Sequence, residues 1–503
     1  MDNFSKVLKE HISRQDIKIQ NLAFISGVDR SLIQKMIKGD RVPADKEVLE
    51  RIILALMLTP RQAVELRNLY HIARIGEEVY QRHLMVKDVL EYFGTVSNKS
   101  DALIKTNYTH TFENVHDNAV FNGTHDINHL VKTVIEIEAA KKDASIKLVI
   151  QPDYSFLVEH LAIMGGTYNN LSIEHIFCLQ ESIKEKDENR YNLNCIKSIA
   201  PLLTSGCSYN PYIYYDNVPS HINNTSIFPY IIITSDYVVA ISYNYAHAVL
   251  YQDISFHKLF TTIYNNIKFY TIALVEKLPS PIDTYNCYTN RSEPFNGRAL
   301  NESELCFTMF SQPCLMFFIT KTILERYSND FPGREELLEV ISQRSKDYLS
   351  KIKAGYDYTT YFTLEGLKDF WETGRIREIP DAFYKPLNKR DRLYLLNMLY
   401  DISEKYNYNT ILVNNEMLRL TDRLVATATD DSSISLIFHH PEKDAICFNI
   451  KEKSLTYSFF RFFEYLKNSD FIISKAETLD ILKEQLEFFA KELNGEETTL
   501  TNL

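Results

Sequence analysis

The first 70 residues carry apolar positions at helical spacing in five short runs, each bounded by a residue that caps or breaks a helix. The runs predict helices over residues 4–13, 19–26, 30–38 and 45–58, and a fifth that begins at Thr59-Pro60. Gly27 and Gly39 follow two of the runs, where a turn requires positive φ. Asp29 is suited to cap the third helix. The pattern therefore predicts a small all-α domain of five helices.

The second and third predicted helices are joined by a tight turn that contains glycine, which is the unit that places a helix in the DNA major groove. The stretch 22–39, LAFISGVDRSLIQKMIKG, keeps the spacing of that unit without insertions. It resembles the helix-turn-helix of the lambda-repressor-like, Cro/xenobiotic-response-element family of transcriptional regulators, over about the first 70 residues. The positions that carry the resemblance are Leu22, Ala23, Gly27, Val28, Ile33, Met36, Gly39, Arg41 and Pro43.

The resemblance implies which residues touch DNA. Arg30, Ser31 and Lys35 match the base-reading positions of the family, and Gln34 lies on the same predicted face. Arg can pair with guanine and Gln with adenine, each worth roughly 1–3 kcal/mol of discrimination. Phosphate contacts, which position the protein without specifying sequence, are expected from Lys18, Lys38 and Arg41. Since one such helix reads only a few base pairs, a homodimer on a palindromic operator in double-stranded DNA is expected.

Two positions depart from the family pattern. Ile19 stands where a Gln that touches the phosphate backbone is usual, and Ile37 stands where a Glu is usual. These departures bear on individual DNA contacts more than on the fold. The alternative to DNA binding is that the same fold serves a protein interaction.

Residues 76–93 are predicted to form an amphipathic linker helix. Its apolar positions could pack either on the rest of the chain or on a second copy, and the sequence does not separate these two. They are Val79, Leu84, Val86, Val89, Leu90 and Phe93.

Beyond residue 100 strands alternate with helices, which predicts sheets covered by helices. Two stretches share an order of predicted elements and suggest an internal duplication. The first contains elements at 129–142, 146–150, 154–164, 173–178, 230–234, 237–242, 248–251 and 256–267. The second contains elements at 392–405, 410–413, 417–427, 434–438, 445–449, 454–457 and 459–466. The predicted fold class is α+β multidomain, with an all-α domain followed by a large, pseudo-symmetric α/β body.

The duplicated plan loosely resembles phospholipase-D-like domains and some sugar-responsive regulator domains. The catalytic signature of the former needs His and Lys one residue apart, but Leu259 stands where the Lys should follow His257. The predicted domains are 1–70, a linker at 71–100, a first α/β unit at 101–275, an intervening helical and Tyr-rich segment at 276–382, and a second unit at 383–503. In the last, Ser474 and Glu477 form a capping box that predicts a helix to about residue 493, with a frayed tail.

Charge is distributed unevenly along the chain. The formal net charge is −11, from 55 Lys+Arg and 66 Asp+Glu. Residues 1–100 hold 16 of the basic and 13 of the acidic residues, which gives +3 there and −14 for the remainder. An acidic body with one mildly basic end fits a small nucleic-acid-binding module on a larger domain.

Other features limit the chemistry that is expected. No apolar run reaches the ~20 residues that span a bilayer, and no secretory signal is visible, so a cytoplasmic protein without membrane contact is predicted. The seven cysteines include no closely spaced pair, which disfavours a disulfide framework or a zinc ribbon. His125 and His129 lie one helical turn apart but are too few for a metal site, and His439-His440 at a strand end would point apart. No nucleotide-binding or hydrolase motif is found, so no catalytic residue, metal or cofactor is predicted.

Ligands of α/β units often bind beyond the carboxyl ends of strands. That rule selects Gln151 and Asp153 in the first copy, and Asn414 and Glu416 in the second, as a candidate effector pocket. The sequence therefore predicts a dimeric transcriptional regulator whose body senses a small-molecule or peptide effector. The alternatives are a DNA-tethered enzyme with an unrecognised active site in the body, and a mobile-element or defence repressor whose body binds a protein.

Overall fold

The computed structural model describes residues 3–99, 119–168, 170–181, 190–216, 227–277, 305–331, 333–377, 379, 381–421, 424–430, 433–438 and 446–501. The pair His439-His440 lies outside these residues. The chain divides into two compact units, Met1–Met85 and Val86–Leu503.

The N-terminal unit is helical, and the five predicted helices are confirmed. Thr59 caps the fifth helix in a capping box with Gln62. The fourth helix is shorter than predicted, since it ends at Ala55 and Met57 adopts a positive φ of 46°. The helices are α1 (Asn3–Arg14), α2 (Ile19–Ser26), α3 (Arg30–Lys38), α4 (Lys46–Ala55) and α5 (Pro60–Ile75), followed by α6 (Glu77–Lys99), inside which the boundary between the units falls.

One apolar core joins all five helices of this unit. Leu22, Ile33 and Met36 are fully buried in it and hold α2 against α3. Gly27 and Gly39 adopt φ of 63° and 84°, as their positions predict. The angle between α2 and α3 is thus fixed by packing on the inner side and by two left-handed glycines at the helix ends.

The second unit contains an eight-stranded mixed sheet in the order β1-β7-β6-β5-β2-β3-β4-β8. Strands β2, β3 and β4 are parallel, and the other pairs are antiparallel. The strands are β1 (Ala119–Asn122), β2 (Ser145–Val149), β3 (Ser172–Leu179), β4 (Ser208–Tyr215), β5 (Tyr230–Ile233), β6 (Val238–Ile241), β7 (His247–Tyr251) and β8 (Ile272–Ala273). Its helices are α7 (Thr124–Ala139), α8 (Ser155–Thr167), α9 (Arg190–Thr204) and α10 (Ile254–Phe269).

A seven-stranded mixed sheet follows in the order β12-β11-β10-β13-β14-β15-β9. Its strands are β9 (Val275–Lys277), β10 (Leu305–Met309), β11 (Asp357–Phe362), β12 (Tyr408–Leu412), β13 (Leu424–Asp430), β14 (Ser433–Phe438) and β15 (Ile446–Ile450). Its helices are α11 (Lys321–Tyr327), α12 (Arg334–Lys353), α13 (Leu364–Thr373), α14 (Lys389–Lys405), α15 (Lys453–Leu466) and α16 (Lys475–Thr501), with short 3₁₀ turns at Met316–Phe318 and Asp381–Phe383.

Seven strands follow the same order and directions in both sheets. The series β4-β3-β2-β5-β6-β7-β1 of the first corresponds to β12-β11-β10-β13-β14-β15-β9 of the second, and α10 and α15 follow equivalent strands. The predicted alignment of the two stretches is wrong in register, because it paired 146–150 with 410–413. Strand β12 occupies the place of β4, and the counterpart of β2 is β10, which lies in the stretch 276–382 predicted as intervening.

Two predicted elements of the second stretch are also wrong. The helix predicted over 417–427 is replaced by a turn and strand β13, in keeping with the β-branched residues of Leu424–Asp430, LVATATD. The strand predicted over 454–457 is the start of α15, because the Glu452 carboxylate accepts a hydrogen bond from the Leu455 N–H at 2.8 Å and so caps a helix there. The last helix continues to Thr501 instead of fraying near 493.

Candidate nucleic-acid interface

The start of α3 is fixed by its cap. The Asp29 carboxylate accepts hydrogen bonds from the backbone N–H groups of Ser31 at 2.7 Å and Leu32 at 3.1 Å. The Ser31 hydroxyl donates to the same carboxylate, and these bonds hold the pKa of Asp29 below its usual value. The helix therefore begins at a defined residue, and the Ser31 hydroxyl is engaged within the cap instead of projecting freely.

The outer face of α3 presents the predicted base-reading residues. Arg30, Ser31, Gln34 and Lys35 are all exposed, whereas Ile33 is buried on the opposite face. Among the residues that the structure describes, the side chains of Arg30 and Gln34 make no hydrogen bond or ion pair. Their hydrogen-bonding groups are therefore available to a ligand, and bidentate pairing with base edges is within their chemistry.

The predicted phosphate-contacting cations are also available. Lys18 lies at the start of α2, Lys38 ends α3 and Arg41 follows it, and all three are exposed. Two other cations of the same unit serve its own packing. Arg67 donates to both carboxylate oxygens of Glu50 at 2.6 and 2.7 Å, and Arg74 donates to the Ala44 carbonyl at 2.8 Å.

The two departures from the family pattern are built into the core. Ile19 and Ile37 are half-buried and pack against the apolar cluster of the unit, so neither offers a polar group to DNA. Sequence reasoning missed a second feature of α2, namely that Phe24 and Ile25 are 90% and 60% exposed. The apolar run Leu22–Ile25 was the available signal, since one buried face of a short helix cannot accommodate four consecutive apolar residues.

The linker helix α6 packs on the second unit through its later turns. Val86, Val89, Leu90 and Phe93 are buried, and the Phe93 ring lies 5.0 Å from the ring of Phe438 in β14. Of the two partners that the sequence left open for this apolar stripe, Phe93 therefore contacts the body of the same chain, and the other three side chains are buried within the chain.

Gln151 and Asp153 follow the carboxyl end of β2. Gln151 is buried, and its amide lies 2.9 Å from the Tyr191 hydroxyl and 3.3 Å from the Cys178 thiol. Burial raises the pKa of Cys178 to about 12, so the group is a neutral thiol near pH 7. Asp153 is exposed and accepts a hydrogen bond from the Tyr245 hydroxyl at 2.6 Å.

A stack of tyrosines accompanies this carboxylate. The Tyr245 ring lies 4.4 Å from that of Tyr154 and 5.3 Å from that of Tyr230. Tyr245 adopts a φ of 55°, which bulky residues rarely do. Burial raises the pKa of both Tyr245 and Tyr230, the latter to about 12, so these phenols stay protonated. Neutral phenols beside one carboxylate can bind a hydrogen-bonding ligand but supply no nucleophile at neutral pH.

Asn414 and Glu416 follow β12 in the other sheet. The Asn414 side chain accepts a hydrogen bond from the Glu416 N–H at 3.1 Å, which closes a local turn, and Glu416 is exposed. Because β12 corresponds to β4, these residues do not mirror Gln151. The residue that does is Gln312 after β10, which is buried and donates to Asp369 at 2.7 Å. It was missed because β10 was not recognised as a strand.

A small apolar cavity of about 40 Å³ lies among α11, α12 and the chain that leads to α14. It is lined by residues such as Ile323, Leu338 and Tyr384. His125 and His129 are exposed on α7, and the described part of the chain brings no three potential metal ligands together. None of the described helices is both long and apolar enough to cross a bilayer.

No family model and no curated protein matches the chain. Among solved structures, the archaeal chromatin protein TrmBL2, described as showing a novel mode of DNA binding, is 12% identical, with 43% of this chain and 72% of that chain covered and a TM-score of 0.20. Polyphosphate kinase from Porphyromonas gingivalis is 9% identical over 74% of this chain and 56% of that one, with a TM-score of 0.22. Phosphatidylserine synthase from Haemophilus influenzae Rd KW20 is 9% identical, with 81% of this chain and 99% of that chain covered and a TM-score of 0.24.

Proposed function

We propose that this protein is a sequence-specific DNA-binding transcriptional regulator of the lambda-repressor-like type, which binds its operator as a homodimer through α3. The observation that carries the proposal is a helix with a fixed start and a buried inner side, on whose outer side two polar side chains have no hydrogen-bond or ion-pair partner among the described residues. Arg30, Gln34 and Lys35 are exposed on that helix, and the side chains of Arg30 and Gln34 are unpaired within the described residues.

The rigidity of this helix supports the proposal, because base readout requires side chains that are held in place. The cap at Asp29 and the burial of Ile33 and Met36 set the direction of the outer face before DNA arrives. The exposed cations Lys18, Lys38 and Arg41 then supply sequence-independent attraction to phosphates.

Protein binding by the same unit is the second candidate, and Phe24 and Ile25 favour it. Both are exposed apolar side chains on α2, which a protein partner could bury. A DNA-binding helix-turn-helix has no need of an exposed phenylalanine at this position, so the two candidates predict different effects of replacing it.

The body is proposed to be an internally duplicated, phospholipase-D-like unit that senses a small-molecule or peptide effector and is not a catalyst. The matching strand orders of its two sheets support the duplication. The Nε2 atom of His257 is 2.8 Å from the Thr234 carbonyl oxygen, a structural contact, and Leu259 points outward where a catalytic Lys would be needed. The effector site is proposed at Asp153 and the Tyr154–Tyr245–Tyr230 stack, where an exposed carboxylate meets aromatic rings.

Selection from random DNA duplexes by the full-length protein tests the proposal. Non-specific phosphate binding falls steeply between ~50 and ~200 mM salt, so a motif retained at the higher salt reports base readout. Arg30→Ala is expected to relax the motif at one base pair, whereas Lys38→Ala weakens binding to all sequences alike. Phe24→Ser should leave the motif and affinity unchanged; loss of a captured protein partner with this variant, without any DNA motif, would favour protein binding.

A further inference from the structure

Equivalent helix caps in the two halves of the body differ in their surroundings. The first half is the eight-stranded sheet with α7–α10, and the second half is the seven-stranded sheet with α11–α16. The caps of α10 and α15 each stand two residues after the end of a strand, β7 or β15. Asp253 accepts hydrogen bonds from Ser255, and both residues are exposed. Glu452 accepts them from the Leu455 N–H at 2.8 Å and the Ser454 hydroxyl at 2.6 Å, and it is buried. The second cap is therefore enclosed, whereas the first faces solvent.

The enclosed cap is hydrogen-bonded to the first half through two side chains. The Tyr215 hydroxyl, at the end of β4, donates to the Glu452 carboxylate at 3.1 Å. The Asn192 amide, in the first turn of α9, donates to the Ser454 hydroxyl at 3.0 Å, which in turn donates to the same carboxylate. Within the described residues Glu452 makes no ion pair, so hydrogen bonds alone compensate the burial of its carboxylate. Two residues of the first half thus help to hold the start of a helix in the second.

Asn192 is fully buried, and each of its hydrogen-bonding groups has a partner. Its side-chain oxygen accepts a hydrogen bond from the Gln180 N–H at 2.9 Å, and its nitrogen donates to the Gln180 carbonyl oxygen at 3.0 Å as well as to Ser454. Since both amide hydrogens are used, the side chain has no further donor to offer. A shift of the first turn of α9 must therefore lengthen or break one of these bonds and leave a buried polar group without a partner.

The residue before Asn192 contacts the proposed effector site. The Tyr191 hydroxyl lies 2.9 Å from the Gln151 amide, which stands two residues before Asp153. Burial above all, and to a smaller extent the charge of Asp153, raises the pKa of Tyr191, so this phenol stays protonated within electrostatic reach of the carboxylate. Consecutive residues of one helical turn therefore contact the effector site and the cap of α15.

We propose that the first turn of α9 couples the effector site of the first half to the start of α15 in the second half. A ligand that displaces the Tyr191 hydroxyl moves Asn192 as well, because neighbouring residues of a helical turn are held in fixed relative positions. The bond from Asn192 to Ser454, and through it the support of Glu452, then changes. The proposal rests on the proposed function only for the position of the effector site, and it adds how binding there reaches the other half.

The equivalent cap of α10 offers no such connection. Within the described residues, Asp253 bonds only Ser255 and the backbone of its own helix. The start of α10 should therefore not respond through its cap, although it belongs to the same half as the site. A ligand shifts the body only if it binds two arrangements of α9 with different affinity. The buried network makes two arrangements distinct, because a satisfied and an unsatisfied network differ in free energy.

Hydrogen exchange of the full-length protein, resolved by segment, tests the coupling without effector or DNA. Tyr191→Phe removes the hydroxyl beside Gln151 and keeps the ring. It should lower the protection of residues 453–458 in α15 roughly 2- to 10-fold, which corresponds to the loss of one hydrogen bond. Tyr154→Phe is the matched control, since it removes a hydroxyl of the same site that bonds Asn128 on α7. It should leave α15 protected as in wild type.

Ser454→Ala removes the connection on the side of the second half. In that background Tyr191→Phe should have no further effect on the protection of residues 453–458. Ser255→Ala, at the equivalent cap of α10, is the control for this variant and should leave α15 as in wild type. Ser454→Cys keeps nearly the same volume with a weakly hydrogen-bonding thiol, and it replaces Ser454→Ala if the latter does not fold.

The outcomes separate the coupling from the proposed function. An effect of Tyr191→Phe that stays within the first half, or one on α15 that persists undiminished in the Ser454→Ala background, would overturn the coupling and leave the proposed function standing. Failure of the full-length protein to select a DNA motif would overturn the proposed function. The exchange measurement would still decide the coupling in that case, because it uses neither DNA nor effector.

Discussion

The candidate polar side chains of the N-terminal unit and of the body differ in whether they are hydrogen-bonded within the protein. On α3, Arg30 and Gln34 project outward with no partner in the described residues. In the body, Asp153 accepts a hydrogen bond from the Tyr245 hydroxyl, and the Asn414 side chain accepts one from a backbone N–H of its own turn. Polar groups that a fold does not use for itself are the ones available for recognition, which is why the functional proposal rests on the smaller unit.

The largest expected effect comes from the packing that holds α3. Leu22→Ala should lower the free energy of unfolding of the N-terminal unit by about 2–5 kcal/mol, because it leaves a cavity between α2 and α3. DNA binding should fall with it while the body stays folded. Phe24→Ala on the same helix is the control and should change stability by less than about 0.5 kcal/mol. Hydrogen exchange resolved by segment separates the two units, and equal effects of the two variants would contradict the packing assigned to α2.

Acid should destabilise the body through a buried histidine. Burial lowers the pKa of His175 to about 4. Its Nδ1 atom is hydrogen-bonded to the Tyr209 hydroxyl at 2.8 Å, and its Nε2 atom to the Ile150 carbonyl oxygen at 2.9 Å. The unfolded chain binds a proton near pH 6.5, so the stability from neutral His175 is complete above that pH and is lost as the pH falls towards 4, by a few kcal/mol. Denaturant unfolding at several pH values measures this loss.

A matched pair of variants isolates His175 from other titrating groups. His175→Asn should reduce the pH dependence of unfolding but not abolish it, because burial also lowers the pKa of His160 in the same body to about 4, whereas His125→Asn, at an exposed position on α7, should leave the dependence as in wild type. If both variants titrate like the wild type, His175 is not the source of the acid sensitivity.

Arg30→Ala should have an intermediate effect that is confined to recognition. It should cost roughly 1–3 kcal/mol of discrimination at one base pair, or about 5- to 150-fold in affinity for the preferred sequence. The stability of the unit should not change, because this side chain has no intramolecular partner in the described residues. Arg61→Ala, another exposed arginine of the same unit but on α5, is the control in the same binding titration.

The smallest effect is expected at the cap of α3. The lowered pKa of Asp29 means that its contribution to the helix start is complete above its ordinary pKa of 3.8 and disappears as the pH falls through the lower folded value. The protection factors of the Ser31 and Leu32 amides should therefore fall only in strong acid. Asp29→Ala should show lower protection than wild type above that range and the same protection in strong acid, and equal protection at neutral pH would mean that the cap does not hold the helix.

The sequence predicted the N-terminal unit well because its signals are local. Asp29, Gly39 and Thr59-Pro60 each mark a helix end through the chemistry of one or two residues. Exposure of Phe24 was missed because periodicity alone does not tell which apolar residue of a dense run is left outside the core.

In the body the sequence identified the kinds of element but misjudged their register. The sequence pattern marks the tyrosine- and threonine-rich strand β11 only as an aromatic segment, and it predicts no strand at the position of β10. Without these two strands, the sequence aligns β12 with β2 and therefore pairs Asn414 with Gln151. The residue that follows the strand equivalent to β2 is instead Gln312. Strand order depends on contacts between residues far apart in the chain, which a local pattern does not contain.

DNA binding through α3 is tested most directly by selecting random duplexes with the full-length protein at ~200 mM salt, where non-specific binding is much weaker. A dimer that reads DNA through α3 should select a palindromic motif whose half-sites are one helical turn apart, and Arg30→Ala should relax one base pair in each half-site. No enriched motif, or a motif unchanged by Arg30→Ala, would contradict the assignment of α3 as the recognition helix.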